Sequence, residues 1–355
     1  GTKGMLVTLP FTLLLLDEWF LKRDIGWKQR IVEKLPLFAL AFLVAVITFV
    51  AQRSGGAVSD LGTLTFAQRA GNAIVGYSVY LVRTVWPVDL AYLYPHPAFV
   101  PPFQGWGAGH VVGSLTFLLL VTGAVLWAAQ RGVRYPMAGW FWYLGTLVPV
   151  IGLVQVGMQA NADRYTYVHH IGLLWIVANA AANLFLRRPG TRMTVVAGSV
   201  AVAVTFVWMT QTNLPHWRNS EALFRRATEV TENNGMALNG LGATLAREGR
   251  TQEALPLLLD AVRLQPGLAD SRSALGVVLM QVGQLEAAIE QHREAVRIRP
   301  DYAAGHVNLA NALAASGDLV AAERHLRTGL RLDPSNWQPY YNLAGIHYQQ
   351  GNVEA

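Results

Sequence analysis

Residues 267–300 read GLADSRSALGVVLMQVGQLEAAIEQHREAVRIRP, and the next 34, residues 301–334, read DYAAGHVNLANALAASGDLVAAERHLRTGLRLDP. Laid over one another they pair Leu275 with Leu309, Gly283 with Gly317 and Pro300 with Pro334. The same register reaches back to Leu241, Gly249 and Pro266 and forward to Leu343 and Gly351. Each unit places a small residue (Gly242, Gly276, Ala310, Ala344) where a first helix must approach its neighbour. A second small residue (Ala254, Ala288, Ala322) comes early in the following helix, and the proline stops that helix. A two-helix unit of this kind buries its apolar face only against the next copy, so the region is predicted to be a helical solenoid.

Thirty-four residues is the tetratricopeptide period. The expected units are 234–266, 267–300, 301–334 and a partial 335–355, with 213–233 as a connecting helix or degenerate repeat. The last unit stops inside its second helix, so further repeats are expected beyond residue 355. Such arrays bind extended peptides in the groove lined by their first helices. Asn308, Asn311 and Asn342 fall on that face, where an amide both donates to and accepts from a peptide backbone. The alternative is surface asparagine without a ligand, because the equivalent positions Gly240 and Ala274 carry no amide.

Upstream the chemistry changes. The whole chain of 355 residues is 52% hydrophobic and only 14% charged, which excludes an ordinary soluble composition. Residues 1–218 hold 16 Lys+Arg against 7 Asp+Glu, whereas 219–355 hold 12 against 15. A basic, Leu-, Val- and Trp-rich half reads as membrane spans with basic flanks, and nucleic acid is a poor partner despite the pI of about 9.6. With no cysteine, disulfides, zinc-thiolate sites and thiol catalysis are absent. The expected architecture is therefore all-α: a polytopic transmembrane helix bundle over 1–212, followed by the tetratricopeptide solenoid.

Apolar runs at 5–16, 36–51, about 109–129, 136–154, 166–186 and 193–211 are the candidate crossings. The first is short, and the start has neither an initiator Met nor a signal-peptide layout, so the chain reads as a piece cut from a longer one. Basic loops at 21–35, at Arg131 and Arg134, and at Arg187, Arg188 and Arg192 then fall on one side, cytoplasmic by charge bias. The loop 52–108, the segment 155–165 and everything after 212 fall on the other. Gly71–Pro87, with Tyr77, Tyr80, Arg83 and Trp86, suits an interfacial or re-entrant helix in that outer loop, a full span being the alternative. Asp17-Glu18, beside the first basic loop, reads as a solvated helix end.

Two polar clusters lie on the expected outer face, Asp89-Leu-Ala-Tyr-Leu-Tyr-Pro-His-Pro97 and Gln159-Ala-Asn-Ala-Asp-Arg-Tyr-Thr-Tyr167. Ionisable groups at membrane depth are costly and usually serve a site. Arg164 can grip a phosphate with its two-pronged guanidinium, and Asp163 can orient it or act as a base. The bland reading is a helix-start cap and a snorkelling arginine. Asp89 and His96 sit in a Pro-rich turn where Asp often caps structure. His169-His170 reads as packed or interfacial histidine, since adjacent helical residues point about 100 degrees apart and rarely share one metal.

The order MLVTLPFTLLLLDEW, NAIVGYSVYLVRTVWPVDLAYLYPHP, WYLGTLVPVIGLVQVGMQANADRYTYVHHIGL and then 34-residue repeats resembles bacterial relatives of the transmembrane and tetratricopeptide-repeat-containing protein O-mannosyltransferases, truncated at both ends. The resemblance implies a type-C glycosyltransferase, a polytopic enzyme of the bacterial inner membrane. Such an enzyme moves a sugar from a polyprenyl-phosphate carrier to a protein acceptor on the extracytoplasmic face. It maps Asp163, Arg164 and Tyr167 onto an acidic-Arg-x-x-Tyr motif, although His169-His170 stands where Pro-Ser or Pro-Leu is expected. It makes Asp163, Arg164, Tyr167, Asp89 and His96 candidates for the lipid phosphate or donor, and sets the catalytic carboxylate upstream of residue 1. No cofactor is evident, and a divalent metal is compatible with such chemistry without being indicated here. The competing reading is a non-enzymatic membrane-anchored scaffold for envelope complexes.

Overall fold

The computed structural model describes residues 5–19, 25–54, 64–100, 105–153, 159–163 and 166–349. The chain divides into two compact units, Gly1–Pro215 and His216–Ala355.

The first unit is a helix bundle. It runs through α1 (Leu9–Trp19), α2 (Trp27–Ser54), α3 (Phe66–Val85), α4 (Ala108–Gln130), α5 (Tyr135–Leu147), α6 (Thr166–Arg187) and α7 (Arg192–Asn213). Four segments are long and apolar enough to cross a membrane: Trp27–Thr48, Ala108–Gln130, Thr166–Arg187 and Pro189–Trp217. Their outward faces are apolar, with Phe42, Leu120, Leu186 and Val204 all exposed. The core lies where α3, α4 and α5 meet, around Tyr80, Val125, Trp140, Tyr143 and Leu147. The aromatics here give their polar ends to partners: the partly buried Tyr77 donates through Oη to the Leu144 carbonyl at 2.8 Å, and the buried Trp140 through Nε1 to Thr122 Oγ1 at 3.0 Å.

Two expectations change. The run 136–154 was expected to be of spanning length, but α5 stops after 13 residues and turns follow, with Gly152 at φ 93°. Pro149 has no N–H to continue the ladder to the Gly145 carbonyl, which is met instead by Val148 N at 3.4 Å, and the chain tightens into turns. Asp17 is not solvated: it is 5% exposed and paired with Lys34 of α2, while its neighbour Glu18 pairs with Arg30. Charges at the end of α1 are matched by charges one and two turns into α2, so the hairpin neutralises itself.

Helix α3 is a continuous 20-residue helix started by a capping box, in which Thr65 Oγ1 accepts from Gln68 N and Gln68 Oε1 accepts from Thr65 N. Asn72, Tyr80 and Arg83 share one face of it. That face meets Ala160, Ala162 and Asp163, which belong to the link between α5 and α6. The helix therefore lies along a connecting segment as well as against α4 and α5.

The second unit begins with α8 (Ser220–Val230) and continues as antiparallel pairs. These are α9 (Gly235–Arg247) with α10 (Thr251–Leu264), α11 (Ala269–Gln281) with α12 (Leu285–Ile298), and α13 (Ala303–Ala315) with α14 (Leu319–Leu332), followed by α15 (Gln338–Gln349). The 34-residue spacing has a local cause at each point. Gly249, Gly283 and Gly317 occupy left-handed backbone (φ 79°, 79° and 90°) between the paired helices. Ala254, Ala288, Ala310 and Ala322 are fully buried at helix contacts. Leu258 and Leu326 fill the same position in α10 and α14, and His292 fills it in α12.

Candidate functional site

The two polar clusters read from the sequence come together. Tyr94–Pro95 and Gln159–Asn161 form a short antiparallel pair in which Tyr94 stands opposite Asn161 and Pro95 opposite Gln159. This lays the connection after α3 against the connection before α6. Tyr94 Oη then lies 2.8 Å from Asp163 Oδ2 and accepts from Ala91 N at 2.7 Å. The backbone carbonyl of Asp89, at 3.3 Å, is the more distant acceptor, so the single hydroxyl proton goes to Asp163. Asp89 itself holds the turn with φ 53°.

Arg83 completes the arrangement. Its guanidinium carbon sits 3.6 Å from the centroid of the Tyr94 ring, and its Nη1 donates to Asn161 Oδ1 at 3.1 Å and to Asp163 Oδ1 at 3.4 Å. One carboxylate oxygen thus faces a guanidinium and the other a phenol. Burial raises the Asp163 carboxyl above its ordinary range, opposed by the Arg83 charge and by the hydrogen bond from Tyr94. Burial and the nearby Asp163 carboxylate likewise push the Tyr94 phenol up, so it stays a donor.

The other candidates are distributed around this centre. Arg164 lies outside the described residues. Tyr167, in the first turn of α6, is 78% exposed and takes no part in the cluster. His96 is fully buried, and its Nδ1 accepts from Ala98 N at 3.1 Å to start the turn at Pro97–Phe99. Burial lowers its pKa to about 4, so it is a neutral cap and not a cation for an anionic ligand. His170 Nε2 meets Thr84 Oγ1 at 2.8 Å; Thr84 gives its own proton to the Tyr80 carbonyl, so the histidine donates. His169 is fully buried. Among the described residues, no three His, Cys, Asp or Glu side chains converge as a metal set.

Tyr94 and Asn161 lie inside the two polar clusters but were not among the candidate site residues, and neither was Arg83. Arg83 was read as an interfacial side chain, yet its place on the Asn72–Tyr80 face of α3 was the signal that it points at the α5–α6 link.

In the repeats, Asn308 Nδ2 donates to Ser273 Oγ at 2.9 Å and Asn342 Nδ2 to Asn311 Oδ1 at 2.6 Å. Each bond joins one first helix to the preceding one, so these amides are partly engaged between repeats.

Residues 278–317 match a family model described as TPR repeat, and residues 216–269 and 307–355 match one described as tetratricopeptide repeat. The second unit is a tetratricopeptide-repeat array. Among solved structures the chain is similar to MamA 41-end from Desulfovibrio magneticus RS-1 (20% identity, 43% of this chain and 87% of that one, TM-score 0.35). It is also similar to the first TPR of Spaghetti (RPAP3) bound to the HSP90 peptide SRMEEVD (17% identity, 33% and 94%, TM-score 0.32). A curated relative is protein O-mannosyl-transferase Tmtc2 of Drosophila melanogaster, 28% identical over 109 residues. The match takes in 31% of this chain and spans 11% of that protein's length.

Proposed function

We propose that the chain is part of an integral-membrane glycosyltransferase of the O-mannosyltransferase type. In this reading it works on a sugar carried by polyprenyl phosphate at the extracytoplasmic face of a bacterial inner membrane, and the repeats recruit the protein acceptor. The observation that carries the reading is the Arg83–Asp163–Tyr94 cluster, a half-buried guanidinium and carboxylate at the start of α6. The similarity to Tmtc2 supports it. Arg83 is the described cation placed to meet a carrier phosphate, which would take over the contact now made by Asp163. Negative charge growing on the leaving phosphate is then stabilised by the guanidinium. Asp163 and Tyr94 hold Arg83 in place until the ligand arrives. Peptide binding by the repeats, as in the RPAP3 structure, belongs to this reading too.

The scaffold reading is favoured by one fact: both Asp163 oxygens already have partners, as in a purely structural staple. Glycan transfer in membranes carrying the full-length protein separates the two. Arg83→Lys keeps the charge but loses the fork, and should reduce transfer at least tenfold at matched expression. Arg131→Lys, which alters a guanidinium stacked on Trp127, should leave transfer unchanged. Equal tolerance at both positions, or no transfer by the wild type, returns the cluster to a structural role.

A further inference from the structure

Helices α5 and α6 touch backbone to backbone. A β-carbon added to Gly139 would fall 2.2 Å from the Gly172 carbonyl oxygen, and one on Gly172 would fall 2.3 Å from that of Gly139. Beside this contact opens a crevice of about 400 Å³, walled by Trp142, Ile171, Leu174, Trp175 and Ala178, with Leu16 of α1 across from them. Its lining is almost wholly apolar. The Trp142 wall is fixed, because its indole N–H donates to the Val168 carbonyl at 2.8 Å.

Depth decides what fills it. At 1.5 Å per residue, Ile171 and Ala178 lie about 8 and about 18 Å along α6 from Thr166, inside the roughly 30 Å hydrocarbon core that this helix is long enough to cross. Ile171 and Leu174 on its rim are 53% and 60% exposed at that depth. A space without polar partners does not hold water. Counting about 30 Å³ for each water-sized group, the crevice holds roughly a dozen methylenes. That is most of one straight acyl chain and a small part of a polyprenyl chain.

We propose that the α5–α6 crevice binds one acyl chain of a membrane phospholipid, seated between Trp142 and Trp175 as a fixed part of the bundle. The inference rests on α6 lying in the bilayer and not on the transfer reaction.

The test uses the full-length protein purified in mild detergent, with retained lipid measured by native mass spectrometry. Ala178→Phe fills the crevice from its open side, whereas Val177→Phe places the same ring on a neighbouring position outside it, itself 65% exposed. One phospholipid should remain on the wild type and on Val177→Phe, with at least tenfold less on Ala178→Phe. A second measurement avoids reliance on that variant. Wild-type protein reconstituted in phosphatidylcholine brominated along the acyl chain should keep a quenched fraction of tryptophan emission after dilution into unbrominated lipid, and Trp142→Phe should shrink it. Overturning results are no phospholipid on the wild type, equal retention by the two phenylalanine variants, an isoprenoid lipid in its place, or quenching that disappears wholly on dilution.

Discussion

The phenol of Tyr94 donates to a carboxylate 69 residues further along the chain, at Asp163, 2.8 Å away. The same ring lies under Arg83. One side chain thus ties α3 to the start of α6 through the two connections between them. Tyr94→Phe keeps the ring and removes the hydroxyl that serves both Asp163 and Ala91 N. A lost hydrogen bond to a charged group, with a buried donor left behind, costs about 2 kcal/mol. The thermal midpoint of the detergent-solubilised protein should fall accordingly, while Tyr167→Phe, at an exposed position, should leave it unchanged.

The mutual approach of Gly139 and Gly172 leaves no room for a methyl group, and the atom in the way is backbone that cannot swing aside. Gly172→Ala should therefore cost about 3 kcal/mol or more. Gly145→Ala in the same α5 meets nothing within 4 Å. It should be neutral, or gain about 0.5–1 kcal/mol from helix propensity. Thermal midpoints of the pair, measured side by side, check both.

His292 occupies the core position that Leu258 and Leu326 fill in the flanking repeats, fully buried against Gly276, with neither ring nitrogen hydrogen-bonded. Burial lowers its pKa from 6.5 to about 4. Between those values the unfolded chain takes up a proton that the folded one refuses, so stability falls as pH drops from about 6.5 toward 4, by about 3 kcal/mol in all. His292→Leu should raise the melting temperature at pH 7 and flatten its pH dependence. Circular dichroism of segment 216–355 at pH 7 and pH 5 reads both effects, and an unchanged slope would count against a neutral buried histidine.

The charge bias of the loops predicts that the repeats lie outside the cytoplasm. A phosphatase reporter fused near Ser335 should be active, and a reporter that works only in the cytoplasm should be silent. The reverse pattern would place the Arg83–Asp163 cluster on the wrong side for an extracytoplasmic donor.

The solenoid was legible because its determinants are local and recur: a left-handed glycine, small contact residues and a proline are each set by neighbours within one unit. The cluster was not legible because Asp163 lies 69 residues from Tyr94 and 80 from Arg83, and they are joined only when Tyr94 pairs with Asn161. Motif spacing drew attention to Asp163 together with Arg164 and Tyr167, which are close in sequence. The observed partners of Asp163 come from another helix and another loop. Proline chemistry at Pro149 was available in the sequence and argued for the shorter α5, but the apolar run through 154 concealed it. Asp17 was read from its basic neighbours alone, and its partner Lys34 lies 17 residues on, in a different helix.

The ion pairs between α1 and α2 also bear on biogenesis. Asp17 and Glu18 emerge from the ribosome before Arg30 and Lys34, and a buried acid such as Asp17 is costly for as long as it has no partner. Acid and base cancel only once both helices are side by side. The first helix therefore keeps its charges unmatched until the second has formed, and the pairing of α1 with α2 is the step that makes this end of the bundle electrically neutral.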